Sequence, residues 1–598
     1  MGSRTMYAVL EKAAQTYGDL PALHQPIGKG KYQTYSWAEY QRAVQEIACG
    51  LRRLGIGRGD VVAIHAETRA EFYLADLGIM ANGSIAAALY TTYPVLDQIK
   101  NLRASDARAV FVEDAKSMQA LLEAAGQPAL PVQWILLTGQ AEGALTLDGL
   151  RASGREALAG DPRFFERIHA EVRPEDEAIL YLTSGATGEP KMGLTTHAAL
   201  IANVDMGPIA LDLTPNDCTI GFLPSAHIAQ RVVIELLPIG MGVPVWFSES
   251  LAKLPGEMKN IRPTFLLAPP RVWERIFASI NAEVKKKSAL ARKLFHGAVG
   301  LGSEVARLRE EGKPVPQWMR NTLKIAERLV FSKIRTRLGG RLRIAASGAA
   351  PLGKELGRFY AAIGMPLIEG YGLTEGGVLT LNPLDRPKSG SIGVTLPGVE
   401  LRLAEDGELL VKSATLFSGY YKDPASTAAV LRDGWLYTGD IAEFDSEKYV
   451  YITGRKKELI VSSNGKKIYP SRIEGLFKAE PIVNQIVLIG DRLPFVTALV
   501  TVNVSTAEGL KGMEPFKGRR PGEVAGAPPV LTEVQKAVAR VNKQLAPFEQ
   551  IRKFRVLERD FSIETGELTP TMKVRRNRVL ENHREVVSEL YMGKEESQ

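Results

Sequence analysis

Hydrophobic and polar positions along the first third of the chain follow two periods in turn. Continuously apolar segments at residues 61–66, 86–90, 109–112 and 134–138 predict buried strands, and stretches with helical periodicity separate them. One such stretch begins after Ser36, a suitable N-cap, and reaches Leu54 before two glycines. Strands that alternate with helices favour a parallel sheet covered on both faces, so the predicted fold class is α/β.

A different pattern surrounds residue 180, where an apolar run over residues 178–182 predicts another buried strand. It opens into the loop Thr183-Ser-Gly-Ala-Thr-Gly-Glu-Pro-Lys191, and a helix is predicted from Thr195. Glycines allow close approach of the backbone, and successive N–H groups can then point at an anion. This is therefore a predicted phosphate loop. Its lysine follows a proline, which differs from the loop of the common nucleoside triphosphatases.

Later segments carry further candidate chemistry. Predicted strands at residues 342–347 and 365–369 open into Gly348-Ala-Ala-Pro351 and Gly370-Tyr-Gly-Leu-Thr-Glu375. Small residues after a strand let a flat ring lie against the backbone, and the tyrosine offers an aromatic face. Taken singly, each segment is equally explained as a tight turn. The same holds for a histidine at 227, an aspartate at 440 and a lysine at 573, which alone fit a core residue, a turn cap and a surface charge.

In this order, from about Tyr35 to about Val579, the motifs resemble those of the adenylate-forming enzymes, the family of acyl-CoA synthetases, luciferases and peptide-synthetase adenylation domains. The resemblance implies that ATP and Mg²⁺ bind here, and it implies a role for each matching residue. It assigns phosphates to Thr183, Ser184, Gly185, Thr187, Gly188 and Lys191; adenine to Gly348, Ala349, Ala350, Gly370, Tyr371 and Gly372; the α-phosphate to Thr374; Mg²⁺ to Glu375; ribose to Asp440 and Arg455; the acyl carboxylate to His227; adenylation to Lys573; and a hinge to Lys457.

The resemblance also implies the architecture and the reaction. A large N-terminal α/β domain of several subdomains would span residues 1–453, and a small, mobile α+β lid domain would span residues 454–598. Within the lid, residues 509–529 are rich in Gly and Pro and predict a mobile insert. The expected reaction activates an acid as acyl-AMP with release of pyrophosphate and then transfers the acyl group to coenzyme A.

Several features bear on the substrate. Residues 281–339 predict a charged helical hairpin, and a helical insertion at this place resembles the long-chain fatty acyl branch. No acidic residue lies between Phe222 and Ile234, which favours an acid without an α-amine. Ala186, Met192 and Val461 depart from the usual family residues. Alternatives that stay open are a medium-chain or aryl acid–CoA ligase, a fatty acyl-AMP ligase, and a lipid-binding scaffold without turnover.

Composition and charge indicate the class of protein, its cellular compartment and its partners. The chain is 45% apolar and 24% charged, as in ordinary globular proteins, and it lacks a transmembrane-length apolar run or an N-terminal signal pattern. Two distant cysteines make a disulfide framework implausible, so the cytoplasm is expected. From Gly454 onward there are 25 Lys/Arg against 18 Asp/Glu. We expect this basic excess to meet coenzyme A and not nucleic acid, with peripheral membrane contact and homodimer formation left open.

Overall fold

The computed structural model describes residues 4–126, 130–183, 191–463, 466–569 and 572–592. Its largest sheet contains the predicted strands of the first third, which pair in parallel as expected. In spatial order the described strands of this sheet are Gly419–Tyr420, Lys191–Thr196, Glu177–Thr183, Ile85–Ala88, Val61–His65, Ala109–Val112, Gln133–Leu136 and Ala144–Thr146. The mixed α/β class is thereby confirmed.

Helices pack against this sheet, and their buried apolar residues join its hydrophobic cluster. Trp37–Arg53 begins at Ser36, whose hydroxyl accepts from the Glu39 N–H while the Glu39 carboxylate accepts from the Ser36 N–H. This capping box confirms the predicted start. The described helices up to residue 285 are Met6–Tyr17, Trp37–Arg53, Ala70–Ala81, Val95–Ala104, Ala115–Ala125, Leu147–Gly160, Phe164–Ala170, His197–Ala210, Ile228–Gln230, Arg231–Leu236 (π), Leu237–Met241, Leu254–Ile261 and Pro270–Lys285.

A second sheet brings the two predicted adenine loops together. Its strands, in spatial order, are Phe265–Ala268, Ile344–Ser347, Leu367–Leu373, Gly377–Leu381 and Val394–Thr395. The first three are parallel, so their carboxyl ends lie at one edge. Two smaller sheets complete this part: Thr219–Gly221, Val245–Phe247, Pro21–Pro26 and Tyr32–Ser36 in one, and Glu400–Leu403, Glu408–Lys412, Trp435–Phe444, Leu431–Arg432 and Val450–Arg455 in the other.

The predicted helical hairpin is present beside the second sheet. Ala289–Glu310 packs against a continuous helical segment formed by Gln317–Ala326, the π-helical turn Glu327–Phe331 and Ser332–Arg337. Gly302 is required here, because a Cβ at that position would lie 2.1 Å from the Ala362 carbonyl oxygen of the next helix, Lys354–Ala362. We call the segment 289–337 the helical hairpin.

The C-terminal part has its own hydrophobic clusters. Those clusters contain residues from Ile460 onward, while the others end at Ile452. The strands are Val483–Ile489, Val496–Val502 and Ile551–Val556, with a small pair Ile460–Val461 and Lys467–Ile468. The described helices of this part are Lys456–Glu458 (3₁₀), Pro470–Leu476, Phe477–Ala479 (3₁₀), Val504–Ala507, Glu514–Phe516 (3₁₀), Pro521–Ala525, Pro528–Asn542, Arg576–Asn582 and Arg584–Tyr591. The helix Pro424–Val430 precedes them and belongs to the N-terminal part.

One expectation for this part is wrong. Residues 509–529 contain short helices, and Met513, Val524, Ala525 and Ala527 are buried in the C-terminal core. Proline and glycine punctuate these helices, but the apolar residues between them bind the segment to the sheet. Among the helices of the described residues, none has the length and apolarity needed to span a bilayer.

Candidate active site

The predicted phosphate loop lies between two antiparallel strands, Glu177–Thr183 and Lys191–Thr196. The helix expected from Thr195 is present and begins at His197, but the strand before it was not expected. The segment 191–196 is a strand because it pairs on both sides, with Glu177–Thr183 and with Gly419–Tyr420, and the helix His197–Ala210 starts only after its Thr196 cap. The loop residues Ser184, Gly185, Thr187 and Gly188, and the side chain of Thr183, lie outside the described residues.

Lys191 begins the second strand and points at a tyrosine and a serine. Its ammonium donates to Ser426 Oγ at 2.7 Å and lies 4.8 Å from the centre of the Tyr420 ring. The same tyrosine donates its hydroxyl to Glu375 Oε1 at 2.6 Å. Glu375 Oε2 accepts no hydrogen bond from the described part of the chain. One carboxylate oxygen is therefore oriented by Tyr420, and the other stays available for a cation.

The two predicted adenine loops are in contact. A Cβ on Gly348 would lie 3.6 Å from the Gly370 carbonyl oxygen. Ala349 adopts a left-handed backbone with φ of 69°, a conformation that costs a side-chain-bearing residue roughly 1–2 kcal/mol. Glu369 anchors the region, because its buried carboxylate accepts from the N–H groups of Leu352 and Gly390. Burial raises the pKa of this carboxyl to about 7.

Packing also explains why a glycine stands at position 372 and where Thr374 lies. A Cβ on Gly372 would lie 2.3 Å from the Gly377 carbonyl oxygen of the paired strand, so no side chain fits there. Thr374 sits in the turn of this hairpin, and its methyl group would be 3.5 Å from a Cβ on Gly193. This places Thr374 beside the strand that leaves the phosphate loop.

Asp440 is held by two donors. The Tyr371 hydroxyl donates to Oδ2 at 2.6 Å, and Arg455 Nε lies 2.9 Å from Oδ1. The aspartate is almost fully buried, and it belongs to strand Trp435–Phe444, which pairs with the strand that carries Arg455. The Asp440 charge raises the pKa of Arg455, while burial raises that of the Tyr371 phenol. Three predicted nucleotide residues thus form one connected group.

Lys573 comes from a turn near the C-terminus, in which the Thr569 N–H donates to the Lys573 carbonyl oxygen at 2.8 Å. Its half-buried side chain reaches the same site. Burial lowers the pKa of its ammonium to about 8, and repulsion by Arg455 lowers it as well, while the carboxylates of Asp440 and Glu375 act in the opposite direction. A lysine more than a hundred residues away in sequence therefore lies within the electrostatic reach of both carboxylates.

His227 lies within the electrostatic reach of this lysine. Burial and the Lys573 charge lower the pKa of its imidazole to about 3, so the ring is neutral at physiological pH. Its Nδ1 accepts from the Ala229 N–H at 3.1 Å, which caps the helix Ile228–Gln230. The ring proton therefore resides on Nε2, which remains free to donate.

The helix after His227 is fixed by a buried ion pair. Arg231 Nε donates to Asp76 Oδ2 at 3.0 Å, and both side chains are inaccessible to solvent. Glu235, one turn later, is also buried, and both of its carboxyl oxygens lack a hydrogen-bond partner among the described residues. Burial raises the pKa of the Glu235 carboxyl well above its ordinary value, and the nearby Asp76 charge raises it further.

Comparison with known families decides what kind of site this is. Residues 10–421 match the model of the AMP-binding enzyme family, and residues 457–595 match the model of the AMP-binding enzyme C-terminal domain. The chain belongs to the AMP-binding enzyme family. The resemblance inferred from the motifs is thereby confirmed.

Individual relatives of this AMP-binding enzyme agree with that assignment. The chain is 34% identical to the long-chain-fatty-acid–CoA ligase FadD15 of Mycobacterium tuberculosis, over 95% of this chain and 94% of the relative. It is 28% identical to the long-chain-fatty-acid–CoA ligase ACSBG2 of Rattus norvegicus, over 98% and 93%. The anthranilate CoA ligase AuaEII, solved with anthranoyl-AMP, shares the fold with a TM-score of 0.75, 18% identity and 98% coverage of both chains.

Some residues of the candidate active site were missed by the sequence analysis. Tyr420 and Ser426 position Glu375 and Lys191, but they lie outside the motifs that carried the prediction. Ser347, at the end of its strand, has a buried hydroxyl without a partner in the described part of the chain. The only sequence signal for Ser347 is its position immediately before Gly348 in the predicted adenine loop.

The hinge assignment stays a prediction. Lys457 is exposed in the 3₁₀ turn Lys456–Glu458, which connects strand Val450–Arg455 to the C-terminal part. The neighbouring Lys456 is instead tied to the N-terminal part through Asp406 and Glu408.

Proposed function

We propose that this chain is an AMP-forming ligase that joins a long-chain fatty acid to coenzyme A. In the first step the acid attacks the α-phosphorus of ATP, giving acyl-AMP and pyrophosphate. In the second step the coenzyme A thiolate attacks the acyl carbon and releases AMP. The full-length similarity to long-chain-fatty-acid–CoA ligases supports this substrate class.

One observation supports the proposal: the Lys573 ammonium is within electrostatic reach of the neutral His227. It is also within reach of the group formed by Arg455, Asp440 and Glu375. An acid and ATP repel each other as anions, so catalysis needs positive charge where they meet. Lys573 can contact the acyl carboxylate and the α-phosphate together. The Nε2 proton of His227 orients the carboxylate.

The other residues position the nucleotide. Asp440 accepts the ribose hydroxyls, Arg455 contacts the ribose from the adjacent strand, and Tyr371 covers the adenine together with the loop that begins at Gly348. Lys191 holds the departing phosphates with the backbone of the phosphate loop. Each of these assignments is a prediction for direct test by substitution.

The site residues also fit Mg²⁺. This ion prefers oxygen ligands and is commonly bound by one or two carboxylates together with substrate phosphates. Glu375 offers one oriented carboxylate with an oxygen available, and the preceding residue, Thr374, lies beside the strand that leaves the phosphate loop. Bound there, the ion would neutralise charge on the phosphates during the displacement.

Pyrophosphate exchange tests the proposal. The full-length chain is incubated with ATP, labelled pyrophosphate and fatty acids of increasing length, and label in ATP is measured. We expect acid-dependent exchange that falls about 100- to 1000-fold in Lys573→Ala, because one preorganised donor typically supplies this factor. Lys536→Ala, an exposed lysine on helix Pro528–Asn542, should leave exchange unchanged.

The same experiment separates the alternatives. Exchange with long acids followed by consumption of free coenzyme A supports the ligase. Exchange without coenzyme A consumption would indicate an acyl-AMP ligase, and a preference for short or aromatic acids would redirect the substrate class. No exchange with any acid would support the scaffold and contradict the proposal.

A further inference from the structure

The helical hairpin has an outer apolar row that its own fold does not need. On the segment 317–337, Trp318, Ile325 and Leu329 are 61%, 59% and 56% exposed. Spacings of seven and four residues place them on one face. The opposite face already supplies the core through Ala326 and Phe331, which are buried. Exposed apolar residues that form a row indicate an interaction surface.

The neighbouring helix repeats this arrangement. Leu290 and Leu294, one turn apart on helix Ala289–Glu310, are 69% and 58% exposed. The same helix buries Phe295 and Ala298 against the core, so it too has a second, outward apolar face. Because the two helices pack together, both rows belong to one hairpin.

Positive charge surrounds these rows. Residues 281–339 contain 14 Lys/Arg against 5 Asp/Glu, whereas the chain without these residues and without 454–598 contains 36 against 44. The hairpin is therefore the basic feature of an otherwise acidic N-terminal part. Ten exposed cations here have no ion-pair partner among the described residues: Lys285, Lys286, Lys287, Arg292, Lys293, Arg309, Arg320, Lys324, Arg328 and Lys333.

The acidic residues of the hairpin region are already engaged within the protein. Glu283 pairs with Arg337, Glu327 with Arg335, and Glu310 accepts from the Ser389 hydroxyl at 2.8 Å. They consequently form no ion pair with these ten cations. Charge and apolar surface thus occur together without an internal partner.

We propose that the helical hairpin docks on an anionic lipid bilayer. Apolar side chains enter the headgroup region, a tryptophan favours that interface, and lysine and arginine side chains extend to lipid phosphates. Charge complementarity selects this occupant over a second copy of the chain, because two copies of the same basic surface repel each other. The proposal goes beyond the ligase reaction and does not depend on it.

Vesicle binding by the full-length chain tests whether the cations of the helical hairpin bind anionic lipid. Sedimentation with phosphatidylcholine vesicles is compared with sedimentation when phosphatidylserine is included, in the absence of ATP and acid. We expect binding to the anionic vesicles only, weakening as salt rises. Lys324→Glu/Arg328→Glu/Lys333→Glu should bind about 100-fold more weakly, from the usual contribution of each cation near such a surface. Lys511→Glu/Lys517→Glu/Lys543→Glu, with the same change in net charge, should bind nearly as well as the unmodified chain.

A second variant tests the apolar row. Trp318→Ser/Ile325→Ser/Leu329→Ser should lose binding, whereas Ile27→Ser/Ile209→Ser/Leu251→Ser, at positions that are similarly exposed, should retain it. All variants should keep acid-dependent pyrophosphate exchange, which shows that they are folded. Equal binding to neutral and anionic vesicles, or no difference between a hairpin variant and its control, would overturn the proposal. So would a dimer that the apolar variant dissociates, since a second copy would then be the occupant.

Discussion

The lowered pKa of Lys573 predicts an alkaline limit to adenylation. An ammonium in the site has its pKa reduced from 10.5 to about 8 by burial and by Arg455. The protonated form attracts the carboxylate and the phosphate, so the active form is present below pH 8 and is lost as pH rises through this value. An exposed lysine would stay charged across this range.

The magnitude follows from the titration. At pH 9 about one chain in ten keeps the proton on Lys573, so kcat/KM for ATP in pyrophosphate exchange should fall about tenfold for each pH unit above 8. This parameter reports groups of the free enzyme, in which no bound phosphate yet supports the charge. Circular dichroism at each pH controls for unfolding.

Lys573→Arg distinguishes this cause from others. Arginine keeps its charge throughout the range but has a planar head that does not reproduce the ammonium geometry. The variant should be slower at pH 7.5, roughly tenfold or more, yet lack the decline near pH 8. If the decline remained in Lys573→Arg, another group would cause it and the reasoning from Lys573 would be refuted. A profile of the unmodified chain that stays flat to pH 9.5 would refute it equally.

Three further substitutions test separate parts of the site. Asp440→Asn should lower kcat/KM for ATP about 10- to 100-fold, because charge-assisted hydrogen bonds are lost, and exchange kinetics at varied ATP check this. Tyr420→Phe should raise the Mg²⁺ concentration needed for half-maximal exchange, since Glu375 loses the donor that orients it; an unchanged Mg²⁺ titration would contradict that role. Asp76→Asn should reduce the free energy of unfolding by about 3 kcal/mol or more in urea titrations, because Arg231 would be left buried without its counter-ion.

Much of the α/β framework was predictable because it depends on local pattern. Continuous apolar runs mark the parallel strands, and the helix after Ser36 is specified by its capping residues. Strand Lys191–Thr196 was not predicted, because its polar and apolar residues become a strand through pairing with Glu177–Thr183 on one side and with the distant segment Gly419–Tyr420 on the other. Residues 509–529 mislead for the same reason, since their burial depends on a sheet formed elsewhere in the chain.

The site shows the same division between local motif and tertiary contact. Motif residues such as Asp440 and Arg455 could be named from the sequence, and pairing of their strands brings them together. The support of Glu375 by Tyr420 could not be foreseen, because the tyrosine belongs to a two-residue edge strand of the largest sheet that is distant from Glu375 in sequence. Supporting residues lack motifs because many side chains can supply one hydrogen bond.

The contacts between the N-terminal and C-terminal parts of the chain are polar. This bears on the second step of the proposed reaction, the transfer of the acyl group to coenzyme A. Arg271 donates to the Asn484 carbonyl oxygen at 2.9 Å, and Lys478 lies 3.4 Å from Glu274, while hydrophobic clusters stay on their own sides. Such bonds exchange for water at a net cost of roughly 0.5–1.5 kcal/mol each. Separating hydrophobic cores would cost far more per residue. We infer that the C-terminal part can withdraw Lys573 after adenylation, so that coenzyme A reaches the acyl carbon without any core being exposed.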